Sequence, residues 1–261
     1  MQISKITFVY FSATNTTKKI VKEIASHFEA PKVEFNLIKY PIEEEIILSP
    51  QELLIVGMPV YSGRIPEIAV ASLRNIKGLQ TPAIISCIYG NRDYDDALIE
   101  MQDLVEANGF RVISAAAFIA QHSIMPEVAA NRPDKSDIAK IQNFSVQTSR
   151  ILSQIETVND IQQIKIKGNR PYKTAKKVPL RPEITSKLCD KCNSCINQCP
   201  TGAISDKFTT DKTLCISCGR CIYICPQKAR SYKGILYNIA KMKFVRDNKE
   251  RKEPKIYYAS Y

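Results

Sequence analysis

Eight of the nine cysteines lie between residues 189 and 225, in two copies of one motif. Both copies follow the pattern C-x2-C-x2-C-x3-C, and a proline, Pro200 or Pro226, comes directly after each. The copies comprise Cys189, Cys192, Cys195 and Cys199, then Cys215, Cys218, Cys221 and Cys225. Each member of the second copy lies 26 residues after its counterpart, so the segment is an internal duplication.

The cysteine spacing indicates two cubane [4Fe–4S] clusters. Two-residue gaps let three sulfurs of one tight loop converge on a cluster, while the fourth cysteine begins the next element and faces the other way. The fourth cysteine is therefore expected to ligate the other cluster. One predicted ligand set is Cys189, Cys192, Cys195 and Cys225; the other is Cys215, Cys218, Cys221 and Cys199.

Two other uses of clustered cysteines are disfavoured. A disulfide scaffold belongs to secreted proteins, and nothing else in the chain indicates secretion. Structural zinc sites generally use two separated cysteine pairs rather than three cysteines within seven residues. The ninth cysteine, Cys87, lies in an apolar run and is expected to be a small core residue.

The first 160 residues alternate short apolar runs with helical patterns. Strands are predicted at residues 6–11, 32–38, 52–58, 82–89 and 111–120, with helices between them, among them helices starting at Pro66, near Asp93 and at about Asp134. This alternation predicts an α/β fold, with a doubly wound five-stranded parallel sheet and helices on both faces.

Three loops at the predicted carboxyl ends of strands could form one binding site. The first is rich in hydroxyls at the start of a helix, which favours phosphate binding, although such runs also cap ordinary helices. The other two each combine an aromatic residue, glycine and polar positions, and a flavin ring needs aromatic walls for stacking and backbone groups at its polar edge. A single loop tyrosine is usually a packed surface residue, but two of them lie on the same rim here. The candidate residues are Ser12, Thr14, Asn15, Thr16, Thr17, Val60, Tyr61, Tyr89, Gly90, Asn91 and Tyr94. His122, on the same rim, is either a flavin partner or an ordinary loop histidine.

These motifs resemble two known families. Residues 184–228 resemble bacterial-type two-cluster ferredoxins, and residues 3–157 resemble flavodoxins, whose phosphate loop the segment Ser12–Thr17 is similar to. The resemblance implies FMN as cofactor, with Tyr61 and Tyr94 stacked on its ring. Asn15 stands where the flavodoxin loop usually has glycine, and asparagine tolerates positive φ better than other non-glycine residues. The fused arrangement is similar to that of EFR1-type ferredoxins.

The predicted organisation follows from these segments. Residues 1–157 are expected to form a flavodoxin-like domain that binds FMN, and residues 158–183 a linker. Residues 184–228 are expected to form a small α+β two-cluster domain, and residues 229–261 a basic extension that wraps back over the fold or stays mobile.

The net charge of +11 is unevenly distributed, with −4 on residues 1–160 and +15 on residues 161–261. Excess Lys and Arg can offset the negative charge of thiolate-ligated clusters, so a nucleic-acid partner is disfavoured. No apolar run is long enough to span a bilayer, and the start of the chain has no signal-peptide pattern. A cytoplasmic location is therefore the expectation.

The expected function is electron transfer between the clusters and FMN, which couples one-electron and two-electron redox partners. The alternative is an FMN- and iron–sulfur-dependent reductase that acts on a small oxidant such as a quinone. Partners are accordingly redox proteins or a small redox substrate.

Overall fold

The computed structural model describes all residues, 1–261. Strands and helices alternate through the first 160 residues. The strands are β1 (Lys5–Tyr10), β2 (Lys32–Asn36), β3 (Ile46–Leu48), β4 (Glu52–Pro59), β5 (Ile76–Gly78), β6 (Thr81–Tyr89) and β7 (Phe110–Ile119). The helices are α1 (Thr16–Ser26), α2 (Glu67–Arg74), α3 (Ala97–Ala107) and α4 (Lys135–Gln154).

Five of these strands form a parallel sheet in the order β2-β1-β4-β6-β7. β6 is buried along its whole length, as expected for a central strand that helices cover on both faces. When only these five strands are counted, the order is 2-1-3-4-5, the flavodoxin-like order of doubly wound sheets. The predicted α/β class and parallel sheet are confirmed. β3 and β5 form a separate two-stranded parallel pair.

Two of the three helix starts predicted from the sequence lie within one residue of the observed ones. Asp134 caps α4 through a reciprocal capping box with Asp137, at the predicted position. Pro66 precedes α2 as its N-cap, one residue outside the helix. α3 begins at Ala97, later than the start predicted near Asp93, because residues 93–96 form the end of a loop that carries a positive φ at Asp95.

The segment between the two parts of the chain packs against α3. After a short 3₁₀ turn at Val158–Asp160, the side chains of Ile161, Ile164 and Ile166 are buried. The Gln102 side chain donates a 2.9 Å hydrogen bond to the Ile164 carbonyl. This segment lacks helical periodicity because it is an extended chain held along the surface of the first domain.

The cysteine-rich region is built from very short elements. These are β8 (Glu183–Ile184), α5 (Ser194–Asn197), α6 (Arg220–Tyr223) and β9 (Arg230–Ser231). β8 and β9 pair antiparallel and bring the two ends of the region together. The pairing reaches Ser231, three residues beyond the end proposed from the sequence.

The C-terminal extension wraps back over the first domain. Its helix α7 (Ile235–Asp247) is followed by β10 (Lys255–Tyr258), which pairs antiparallel with β7. The main sheet therefore has six strands rather than the predicted five, and its order is β10-β7-β6-β4-β1-β2. β10 supplies hydrogen-bond partners to the outer edge of β7, which would otherwise be an open strand edge. No helix of the structure has both the length and the apolar character of a membrane-spanning segment.

Candidate functional site

Two small cavities in the C-terminal region are each lined by four cysteines. The first cysteine cavity is lined by Cys189, Cys192, Cys195 and Cys225. The second cysteine cavity is lined by Cys199, Cys215, Cys218 and Cys221. Each cavity thus receives three cysteines from one copy of the motif and the fourth from the other copy. No three His, Cys, Asp or Glu side chains converge closely enough to hold a single ion.

The backbone of the two cysteine loops repeats with the sequence. Lys191 and Asn193 have φ of 57° and 58°, and their counterparts Ser217 and Gly219 have φ of 55° and 75°. Alternation of left- and right-handed residues turns successive backbone N–H groups toward one concavity, which is the geometry of an anion-binding nest. The loops are therefore shaped to surround a negatively charged group.

Backbone amides also donate to the cysteine sulfurs at equivalent positions. The Ala203 amide lies 3.3 Å from Cys199 Sγ, and the Ala229 amide lies 3.2 Å from Cys225 Sγ. Such N–H···S bonds stabilise thiolates and influence the potential of a cluster that they hold.

Burial raises the pKa of the Cys218 and Cys221 thiols to about 12. Binding of a metal displaces such thiol protons and leaves the thiolates as ligands. The donor set, four sulfurs around each of two cavities, fits a cubane cluster in each.

A third cavity, of about 220 Å³, lies at the carboxyl ends of β1, β4, β6 and β7. We call it the strand-end cavity. It brings together seven of the eleven residues predicted for the flavin site: Thr14, Thr16, Thr17, Val60, Tyr61, Tyr89 and Gly90. Its position beside the β1/β4 switch point is where doubly wound sheets bind ligands.

The hydroxyl-rich loop presents free donors to this cavity. The backbone N–H groups of Thr14, Asn15, Thr16 and Thr17 donate to no atom of the protein. Asn15 adopts φ 63°, the left-handed conformation that its position was predicted to require. A run of free N–H groups at the start of an 11-residue helix fits a phosphate.

Four predicted residues do not line the strand-end cavity. Ser12 Oγ accepts a 3.0 Å hydrogen bond from the Lys18 amide and so supports the first turn of α1. The Asn15 side chain donates to the Tyr223 hydroxyl at 3.0 Å, across the junction between the domains.

The other two residues hold the C-terminal extension. The Asn91 side chain donates to the carbonyls of Asn248 (2.8 Å) and Glu250 (2.7 Å). Tyr94 is buried, and its hydroxyl lies 2.9 Å from that of Tyr257 in β10. The structure thus differs from the predicted stacking role of Tyr94, because β10 occupies the space beside it.

The walls of the strand-end cavity include residues that the sequence did not single out. Phe244 of α7 lines the cavity, and its ring centroid lies 4.9 Å from that of His122. Arg92, Ser123 and Val178 also contribute. No local pattern marks Phe244, because its partner His122 lies in a distant segment of the chain.

His122 lies in the wall in its neutral form. Burial, and to a lesser degree the nearby Arg92, lowers the pKa of His122 to about 4. Its Nδ1 accepts hydrogen bonds from the amides of Ile124 (3.2 Å) and Met125 (3.1 Å), so the ring proton resides on Nε2. Gly90 packs directly on this ring, since a Cβ there would lie 2.3 Å from His122 Cδ2.

The second cysteine cavity adjoins the strand-end cavity. A cavity of about 620 Å³, the junction cavity, lies between the domains and shares Tyr61 and His122 with the strand-end cavity. Ile216 and Ser217, which separate the cysteines at 215 and 218, line its other side. Ile216 also lines the second cysteine cavity, whereas no residue of the first cysteine cavity lines the junction cavity or the strand-end cavity.

Comparisons with known proteins agree with the cysteine motif. Residues 182–205 and 208–231 each match the 4Fe-4S binding domain family. The two matches indicate two [4Fe–4S] clusters. No curated protein sequence matches the chain.

Among solved structures, the chain is similar to rubredoxin oxygen:oxidoreductase from Desulfovibrio gigas. The identity is 16% and the TM-score 0.43, over 58% of this chain and 37% of that protein, so the chain spans little more than a third of its length. It is also similar to a Fusobacterium nucleatum flavodoxin bound to flavin mononucleotide, with 14% identity and TM-score 0.40 over 57% and 99% of the chains. A Streptococcus pneumoniae flavodoxin is 13% identical, with TM-score 0.42 over 57% and 99%.

The chain joins an α/β domain with the flavodoxin-like strand order to a region of two 4Fe-4S binding repeats.

Proposed function

We propose that the protein is an electron-transfer protein of the EFR1 type, in which FMN in the strand-end cavity exchanges electrons with two [4Fe–4S] clusters. The proposed domains are residues 1–157 for FMN, residues 184–228 for the clusters, the linker 158–183, and the extension 229–261. The proposal rests on the contact between the second cysteine cavity and the wall of the strand-end cavity. A Cβ at Gly219, which lines the second cysteine cavity, would lie 3.1 Å from the carbonyl oxygen of Ser123, which lines the strand-end cavity.

The residues present fit FMN at both ends of the strand-end cavity. The free N–H groups of residues 14–17 would hold its phosphate, since they have no competing partner in the protein. Tyr61 and the pair His122 and Phe244 would supply flat walls for its ring. When bound, FMN supplies a carrier that takes up two electrons, one at a time.

The protein's own side chains would position the clusters and the flavin. The two interleaved cysteine sets hold two clusters in adjacent loops, of which the second lies at the domain junction. The neutral His122 keeps a proton on Nε2 and can donate one hydrogen bond from the cavity wall. Tyr61 is partly buried, and this burial, followed by the nearby Cys218, raises its pKa well above the usual value, so it stays protonated.

Cofactor analysis tests the proposal directly. We expect the anaerobically purified full chain to contain about eight iron atoms, equal sulfide and one FMN. The FMN phosphate should contribute strongly to affinity, so riboflavin should bind much more weakly than FMN. Zinc in place of iron, or no FMN binding at saturating concentration, would contradict the proposal.

Electron exchange between the centres needs its own test. A one-electron donor should bleach the bound flavin faster in the cluster-loaded chain than in a chain loaded with FMN alone. The matched control is the same FMN-loaded chain without iron and sulfide, at equal flavin content. Equal rates in both samples would show that the clusters do not feed the flavin.

The junction cavity supports a second candidate function, reduction of a small oxidant. Its 620 Å³ open beside Tyr61 and His122, where an organic molecule could approach the flavin. This reading predicts steady turnover with a soluble quinone and a lower rate in His122→Gln. Absence of turnover with wild-type protein would leave electron transfer between proteins.

A further inference from the structure

Two arginines of the cysteine-rich region are buried without an acidic partner. Arg220 is 8% exposed and Arg230 is 2% exposed. In each of them Nε is buried and has no hydrogen-bond partner. Arg220 lines the second cysteine cavity, and Arg230 lines the first.

The partners that these guanidinium groups do have are neutral. Arg220 donates to the Ala13 carbonyl at 3.2 Å and to Gln198 Oε1 at 2.5 Å. Arg230 donates to Thr210 Oγ1 at 2.9 Å and to the Phe208 carbonyl at 2.7 Å. Neither arginine therefore has its charge balanced by a side chain.

Another arginine of the chain shows the ordinary arrangement. Arg132 is similarly buried, but it forms a bidentate ion pair with Asp137, with distances of 2.8 and 2.5 Å. A buried charge without a counter-ion is strongly unfavourable. The positive charges of Arg220 and Arg230 therefore need an anion beside them, and no acidic side chain of the protein supplies it.

The anion expected in each cavity is the cluster itself, since four thiolates make a [4Fe–4S] centre net negative. We propose that Arg220 and Arg230 are the dedicated counter-cations of the two clusters, one for each, and that each raises the reduction potential of the cluster beside it. This inference rests on the proposed clusters and adds a role for two residues outside the ligand set.

The direction of the effect follows from electrostatics. Reduction adds a negative charge to a cluster, and a fixed positive charge nearby stabilises that reduced form. Because the guanidinium groups are buried, dissolved salt screens their effect only weakly. Arg220 also bonds the carbonyl of Ala13 in the phosphate loop, so it places its charge between the second cluster and the FMN site.

Matched substitutions test the inference in the full, cluster-loaded chain. Arg220→Gln and Arg230→Gln remove the charge and keep a polar side chain, while Arg220→Lys and Arg230→Lys keep the charge. Arg181→Gln is the control, because Arg181 is exposed and its charge still acts on Cys215 of the second set. Iron and sulfide analysis precedes redox titration followed by electron paramagnetic resonance.

We expect Arg220→Gln to lower the potential of one cluster and Arg230→Gln to lower that of the other. The lysine variants should shift less, and the shift in Arg181→Gln should be small and disappear at high salt. The inference is overturned if both glutamine variants retain their iron and titrate at wild-type potentials.

Loss of iron from a glutamine variant would also be decisive. If the lysine variant then retains iron, the charge is needed to hold the cluster, as inferred. If both variants lose iron, the shape of the arginine rather than its charge matters, and the inference fails. Wild-type protein without iron would instead refute the proposed function, a result that the iron analysis separates from the others.

Discussion

Gly219 faces the carbonyl oxygen of Ser123 so closely that a Cβ at position 219 would lie 3.1 Å from that oxygen. Gly219 belongs to the loop that carries Cys218 and Cys221, and Ser123 follows β7 in the first domain. The φ of 75° at position 219 also favours glycine. The contact joins the proposed cluster loop to the proposed flavin site through backbone atoms.

Gly219→Ala should therefore destabilise the protein at this junction. Gly202→Ala is the matched control, because Gly202 has φ 61° but nothing lies within 4 Å of a Cβ there. Both variants carry a backbone cost of about 1 kcal/mol, and Gly219→Ala should lose about 1 kcal/mol more. Denaturant unfolding measures the difference, and equal losses would show that the contact with Ser123 is unimportant.

Tyr61 and Tyr94 should behave differently in FMN binding. Tyr61→Leu removes an aromatic wall of the strand-end cavity, and we expect FMN affinity to fall about 3- to 10-fold, the equivalent of one aromatic stacking contact. Tyr94→Phe should leave FMN affinity unchanged, since Tyr94 bonds Tyr257 outside the cavity. It should instead lower the free energy of unfolding by about 1 kcal/mol. Flavin fluorescence titration measures the affinities, and denaturant unfolding measures the stability. Tyr94→Leu, which removes the ring as well, should also keep the FMN affinity, and a large affinity loss in that variant would support the predicted stacking role of Tyr94.

His122 should make stability depend on pH between about 4 and 6.5. Its pKa is lowered from 6.5 to about 4 in the folded chain, so the unfolded chain binds the extra proton within this window. The stabilisation is present above pH 6.5 and is lost as the pH falls toward 4. Between pH 7 and pH 5 this amounts to about 2 kcal/mol.

His122→Gln should remove that share of the pH dependence. Unfolding free energies at pH 7 and pH 5, on samples of equal cofactor content, measure it. His27→Gln, at the exposed histidine, controls for loss of a histidine as such. An unchanged pH dependence in His122→Gln would place the titration elsewhere.

Arg64 should hold the linker against the first domain. Its guanidinium forms two 2.7 Å bonds with Glu100, donates to the Lys173 carbonyl at 3.0 Å, and lies 4.7 Å from the centre of the Tyr172 ring. Charge-assisted bonds of this kind contribute about 1.5–3 kcal/mol. Arg64→Ala should therefore speed tryptic cleavage after the linker lysines, Lys173, Lys176 and Lys177, by about 10-fold or more.

The control for this cleavage experiment is Arg74→Ala, at an exposed arginine that forms no ion pair. Cleavage sites are identified by mass spectrometry of the early fragments. If the two variants are cut at the same rate, the linker is held by other contacts, such as those of Asp96 with Asn169 and Lys173.

Much of the fold could be predicted from local pattern. The strands and helices of the first domain follow from apolar periodicity, because each element must bury one stripe or face whatever its neighbours are. The capping of α4 by Asp134 follows from chemistry within one turn. The role of Tyr94 could not be predicted, because it depends on Tyr257, which lies 163 residues later.

The sequence by itself determined the grouping of the cysteines and the free N–H groups of the Ser12–Thr17 loop, because both depend on chain geometry over a few residues. Only the tertiary structure decided that β10 pairs with the edge strand β7, that Phe244 lines the strand-end cavity, and that Gly219 lies against Ser123. It also decided that Arg220 and Arg230 are buried without acids. Such contacts join distant segments, and no local spacing or periodicity encodes which of them will meet.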